Sequence, residues 1–171
     1  MKAVRLIVVL AIALAGQTSL GRLATRDWIA LDLVLVAVVY IGLLSGPGTA
    51  IAAGTIGGLV QDALSGARVI GIGSLAKSTV GYWAGVIGAR FMVGHSLQRF
   101  VVFVVATVVH GVVYMGLYTV LDLSHFPRPW LSLGKQAVGN GLVGILVFQI
   151  AELSAGARRR RGQGGRRPMR L

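Results

Sequence analysis

Cysteine is absent from this 171-residue chain, so no disulfide framework, thiolate metal site or cysteine nucleophile can form. Charge is scarce as well: Asp, Glu, Lys and Arg make up 13% of the residues, about half the share of an ordinary soluble domain. Acidic residues are scarcer still, 5 against 17 Lys plus Arg, for a net charge of +12. No nucleophile motif such as G-x-S-x-G or S-x-x-K stands out, no P-loop is present, and no His–acid cluster has the spacing of metal ligands. No solenoid period is visible. Catalysis, metal binding and a resident cofactor therefore have no support in the sequence.

What is abundant is apolar surface. Hydrophobic residues make up 55% of the chain, with a mean hydropathy of +0.78. A soluble fold of this size cannot hide that much, because burial is limited by the ratio of surface to volume. The remainder calls for lipid. Apolar runs fall at about 3–20, 28–44, 49–64, 69–93, 100–121 and 131–153, each near the roughly 20 residues that a spanning helix needs. The expected architecture is an all-α, six-helix transmembrane bundle over 1–154, followed by a disordered basic cytoplasmic tail over 155–171. Ser45-Gly46-Pro47-Gly48 reads as a tight turn between the second and third runs.

Basic residues set the orientation. Lys2, Arg5, Arg90, Arg99 and the arginine-rich tail share one side, against Arg22, Arg26, Arg68, Arg128 and Lys135 on the other. The positive-inside rule puts both termini in the cytoplasm, with the tail tipping the balance. A second reading of the start exists: Lys2, Arg5, the apolar stretch and Ala13-Leu14-Ala15 also have the form of a signal peptide with its cleavage site. An opening transmembrane helix accounts for the same residues.

Helices in lipid associate through small residues. Ala50, Gly54 and Gly58 lie four apart, as do Gly81, Gly85 and Ala89, and Ala137 and Gly141. Such stripes serve either internal packing or a docking groove for a partner's helix. Ionisable residues inside a membrane are costly and mark function or pairing. Asp62 and Lys77 flank the third-to-fourth hairpin, and an extended Gly66–Gly73 stretch would bring them together as a salt bridge, with a proton or substrate relay as the rival role. Asp32 suits an N-cap at the start of the second helix. His110 and Tyr114 share a face of the fifth helix and Asn140 lies in the sixth, reading as interhelical hydrogen-bond partners. Arg158, Arg159, Arg160 and Arg161 follow the last helix. They suit anionic lipid or an acidic cytoplasmic protein surface, and nucleic acid fits less well.

The stretch Gly54-Thr55-Ile56-Gly57-Gly58-Leu59-Val60-Gln61-Asp62-Ala63-Leu64-Ser65-Gly66 resembles the signature of the rod shape-determining protein MreD family. The likeness continues through Gly71, Leu75, Ala76, Gly81 and Tyr82, and upstream in Asp32-Leu33-Val34-Leu35. It implies a multi-pass protein of the bacterial inner membrane, without enzymatic activity, metal or cofactor, serving the cell-elongation machinery. The partners it implies are the bitopic protein MreC foremost, then the MreB filament, RodA and its elongation transpeptidase. The family's fold is similar to the substrate-binding subunits of energy-coupling-factor transporters. The alternative function is therefore a small-molecule-binding membrane subunit of such a transporter, which needs a polar pocket built from residues such as His110, Tyr114, Asn140 or Asp62.

Overall fold

The computed structural model describes residues 2–23, 31–91, 94–123 and 129–164, and the side chains within them apart from positions 2, 3, 5, 21–23, 129 and 155–164. Six helices occupy these residues: α1 (Lys2–Leu23), α2 (Leu33–Ser45), α3 (Pro47–Leu64), α4 (Ile72–Arg90), α5 (Ser96–Val120) and α6 (Pro129–Gly164). No strand occurs among them. Two are long and apolar enough to cross a membrane by length and composition, namely α5 and the Trp130–Ser154 part of α6. Shorter apolar helices cover Leu6–Leu20 and Leu33–Ser45.

Several boundaries shift by a few residues from the expected runs, and two shift most. The second helix begins at Leu33 rather than near residue 28, and 24–30 lie outside the described residues. The sixth continues to Gly164, so the expectation of disorder from 155 does not describe 155–164. The physical reason is local: alanine and arginine are good helix formers and extend a helix already nucleated upstream. Residues 165–171 lie outside the described ones.

The bundle is built around α2. Val34–Val39, Ile41 and Gly42 are all buried, so over this stretch the helix shows no outward face, the mark of a central element. It touches each of the other five helices. Leu35, Val36 and Val39 meet Val80 and Ala84 of α4, Phe103 and Ala106 of α5, and Phe148 of α6 in the main core. Val34 and Ala37 pack on Ala13 of α1. Its thirteen residues extend about 20 Å, short of the roughly 30 Å of a hydrocarbon core. One end of α2 therefore stops inside the bundle, where its free N–H groups need internal partners.

At the other end the chain reverses within one residue. Gly46 has φ +86°, a conformation that L side chains avoid. Pro47 then opens α3 at the first helical position, where its missing N–H costs nothing. The hairpin packs α3 tightly onto both α2 and α4.

Outside this core the surface is apolar. Ile7 and Ile12 of α1, Ile56 of α3, Trp83 of α4, Val105 of α5, and Leu146 and Ile150 of α6 are exposed. Such continuous apolar exposure is what a lipid-facing bundle shows and what a soluble monomer avoids.

Candidate functional site

The inner end of α2 is where the polar chemistry gathers. Asp32 caps the helix, its Oδ1 accepting from the Leu35 N–H at 2.9 Å. Its Oδ2 lies 2.8 Å from the Lys77 ammonium on α4, with the two side chains 7% and 3% exposed. The Asp32 N–H donates to Asn140 Oδ1 of α6 at 3.0 Å. Asn140 is fully buried, and its Nδ2 donates to Thr107 Oγ1 of α5 at 3.2 Å. The Thr107 hydroxyl in turn donates to the Phe103 carbonyl. From the far side, Gln17 of α1 donates to the Leu31 carbonyl and accepts from the Leu33 N–H. Three helices, α1, α4 and α6, thus supply partners to one helix start, with α5 bonded behind Asn140.

Lys77 also approaches His110 of α5, Nζ to Nε2 at 3.4 Å. The His110 ring stacks on Tyr114 one turn later, centroids 5.8 Å apart, and Tyr114 contacts Tyr118 at 4.7 Å.

The expected Asp62–Lys77 salt bridge does not form. Lys77 is committed to Asp32, while Asp62 Oδ2 accepts from the Gly71 N–H at 2.9 Å and the Gly73 N–H at 3.1 Å. The Gly66–Gly71 connection is not an extended strand. Gly66 and Gly71 both have positive φ, and the chain curls so that the start of α4 presents its free N–H groups to the Asp62 carboxylate, a favourable place for an anion. Lys77, more than a turn further along α4, is left to face α2.

The glycines lie in the α3–α4 seam. A Cβ on Gly54 would sit 2.8 Å from the Lys77 carbonyl, and one on Gly81 would sit 2.7 Å from the Ala50 carbonyl. On Gly58 it would strike the Ser74 backbone, and on Gly85 the Pro47 backbone. These residues therefore pack α3 against α4 within the chain. Across the seam the Thr55 and Ser78 hydroxyls share a 2.8 Å hydrogen bond. Sequence reading overlooked Gly88, which backs onto Leu43 in the same way. It also missed Gln17, whose only sequence signal is a polar residue inside an apolar run.

Contrary to the expectation from sequence, an S-x-x-K spacing does occur, as Ser74 and Lys77 on α4. Their partners argue against a nucleophile: the Ser74 hydroxyl donates to the Thr55 carbonyl, and the ammonium is held by a carboxylate, which removes its capacity as a base. Among the described residues no group of His, Asp or Glu could hold a metal ion.

Beside this network lies a half-open cavity of about 390 Å³, lined by Asp32, Gln61, Asp62, Lys77, His110 and Tyr114 among others. Candidates far apart along the chain thus converge, with Asn140 one hydrogen bond behind the wall. The side chains of Arg158, Arg159, Arg160 and Arg161 lie outside the described ones.

Fold and site together define a helical protein of membrane type, in which buried ionic and amide groups tie apolar helices together. The family model described as rod shape-determining protein MreD matches residues 1–150, and the chain belongs to that family, whose role is in determining rod shape. None of the curated proteins matches it. Nor does any solved structure.

Proposed function

We propose that this protein is a non-enzymatic membrane scaffold of the bacterial cell-elongation machinery, crossing the inner membrane six times with both ends in the cytoplasm. The observation that carries this reading is membership of the MreD family over residues 1–150. The packing supports it. The polar residues with catalytic potential are engaged in holding helices, and the glycine seam makes α2, α3 and α4 one rigid unit. Partners then meet the outward faces, MreC foremost, with the MreB filament, RodA and its transpeptidase alongside. The arginines after residue 157 suit the cytoplasmic leaflet, where each nearby charge contributes about 1 kcal/mol toward anionic lipid.

A second reading, the substrate-binding subunit of an energy-coupling-factor-type transporter, is favoured by one observation, the polar cavity beside Asp32 and His110. An affinity experiment separates the two. The protein carries an N-terminal tag, is extracted from native membranes in mild detergent, and its companions are identified by mass spectrometry. Co-purification of MreC with RodA or its transpeptidase is the expected result. Recovery of a transporter's coupling subunit and ATPases instead would overturn the scaffold.

A further inference from the structure

A groove of about 440 Å³ runs between α4 and α5 on the outer side of the bundle, apart from the polar cavity. Its floor is low because Ala84 and Ala106 are small and buried, while Trp83, Val101 and Val105 stand half-exposed as its walls. All the residues that line it are apolar. On α4 they fall at 80, 83, 84 and 87, one helical face, and one turn further that face reaches Arg90 in the last turn of the helix. Arg90 is exposed, and no carboxylate among the described residues pairs with it. Arg99, at the same end of α5, is bridged to Glu152 at 2.6 Å. Arg90 therefore leaves this end of the groove with a net positive charge.

Length and charge select what fills it. The α4 wall from Val80 to Arg90 extends about 15 Å along the axis, half of a hydrocarbon core roughly 30 Å thick. The groove thus serves one leaflet and stops near the middle of α4 and of α5, at Val80 and Val109. A partner's crossing helix, or a second copy, would need a seam through both leaflets. An acyl chain ends where the groove ends, and the phosphate joined to it lies at the depth of Arg90. A guanidinium takes a phosphate with two parallel N–H bonds. A zwitterionic headgroup would add an ammonium to an end that is already positive, and an anionic one adds none.

We propose that the groove between α4 and α5 is a binding site for a phospholipid with an anionic headgroup, one acyl chain lying between Trp83 and Val105 and the phosphate pairing with Arg90. The site rests on the reading that α4 and α5 cross the membrane and on no protein partner.

The groove carries its own reporter. Of the 3 tryptophans in the chain, Trp28→Phe and Trp130→Phe leave Trp83 alone. The full chain is placed in vesicles of mixed phosphatidylglycerol and phosphatidylethanolamine, with bromine at the middle of the acyl chains of one lipid or the other to quench Trp83. Phosphatidylglycerol should be preferred about fivefold, the worth of one nearby basic charge. Arg90→Gln should bring the preference close to one. Val105→Phe should do the same by filling the groove, while Val138→Phe, on an exposed position of α6 outside it, should leave the preference in place. Equal quenching by the two lipids would overturn the proposal and leave the membrane reading intact, since lipid then still reaches α4. A preference undiminished in Arg90→Gln or in Val105→Phe would overturn it too. So would a Trp83 that neither lipid quenches, covered by a second copy or another helix; maleimide labelling of Ser45→Cys and Ser65→Cys then tells whether the membrane reading falls with it.

Discussion

Lys77 is the residue on which most of the polar interior depends. It sits on α4 with 3% of its side chain exposed and reaches an Asp32 carboxylate that is itself buried. A pair like this adds little net stability when formed, because desolvation offsets the attraction, yet removing one partner strands a buried charge. Lys77→Met keeps the side chain's length and loses the charge. It should lower stability by about 3–5 kcal/mol, read from thermal or denaturant unfolding of the detergent-solubilised protein. Adding Asp32→Asn to Lys77→Met should recover much of that loss. The amide oxygen can still cap α2 at the Leu35 N–H, and no charge is left unpaired. A double variant as unstable as the sum of its parts would show that Lys77 acts through something other than Asp32.

At the scale of elements, the seam between α3 and α4 sets how near the backbones come. Gly58→Val would drive a branched side chain into the Ser74 backbone, which cannot move aside as a flexible side chain would. Overpacking of this kind costs about 1–3 kcal/mol. Gly116 of α5 is the control, since a Cβ there meets nothing within 4 Å. Gly116→Ala should be neutral or stabilising by up to about 1 kcal/mol, as alanine fixes a helical backbone more readily than glycine. Unfolding midpoints of the two variants check this contrast. The seam was legible in the sequence because glycines four apart on consecutive runs report a helix–helix contact whatever the rest of the bundle does. The cap at Asp32 was legible for the same local reason. The Asp32–Lys77 pair was not, since it depends on α2 lying between its neighbours and starting deep enough for its first turn to face α4. Spacing along a chain carries no record of that arrangement. Asp62 misled for a related reason: two positive-φ glycines curl the connection, and their angles decide which N–H groups its carboxylate meets.

At the scale of the whole molecule, the arrangement of ends explains why a scaffold of apolar helices holds a polar cavity at all. As a helix α2 covers only part of the hydrocarbon thickness, so its start needs partners inside the bundle, and the ends of α3 and α5 with the starts of α4 and α6 close over it. If α3 crosses the membrane, its two ends lie on opposite faces. Its eighteen residues extend about 27 Å, close to the hydrocarbon thickness. The chain has no native cysteine, so single substitutions report location without background. Ser45 precedes α3 and Ser65 follows it, both exposed, and cysteine differs from serine by one atom. A membrane-impermeant maleimide should label Ser65→Cys in intact spheroplasts and Ser45→Cys only after the membrane is opened. The reverse pattern would place the termini outside and make the arginines after residue 157 extracytoplasmic. Labelling of both sites from one side would mean that α3 does not cross, and the six-span bundle would then give way to one in which α5 and α6 alone, the two helices long enough by composition, anchor the rest.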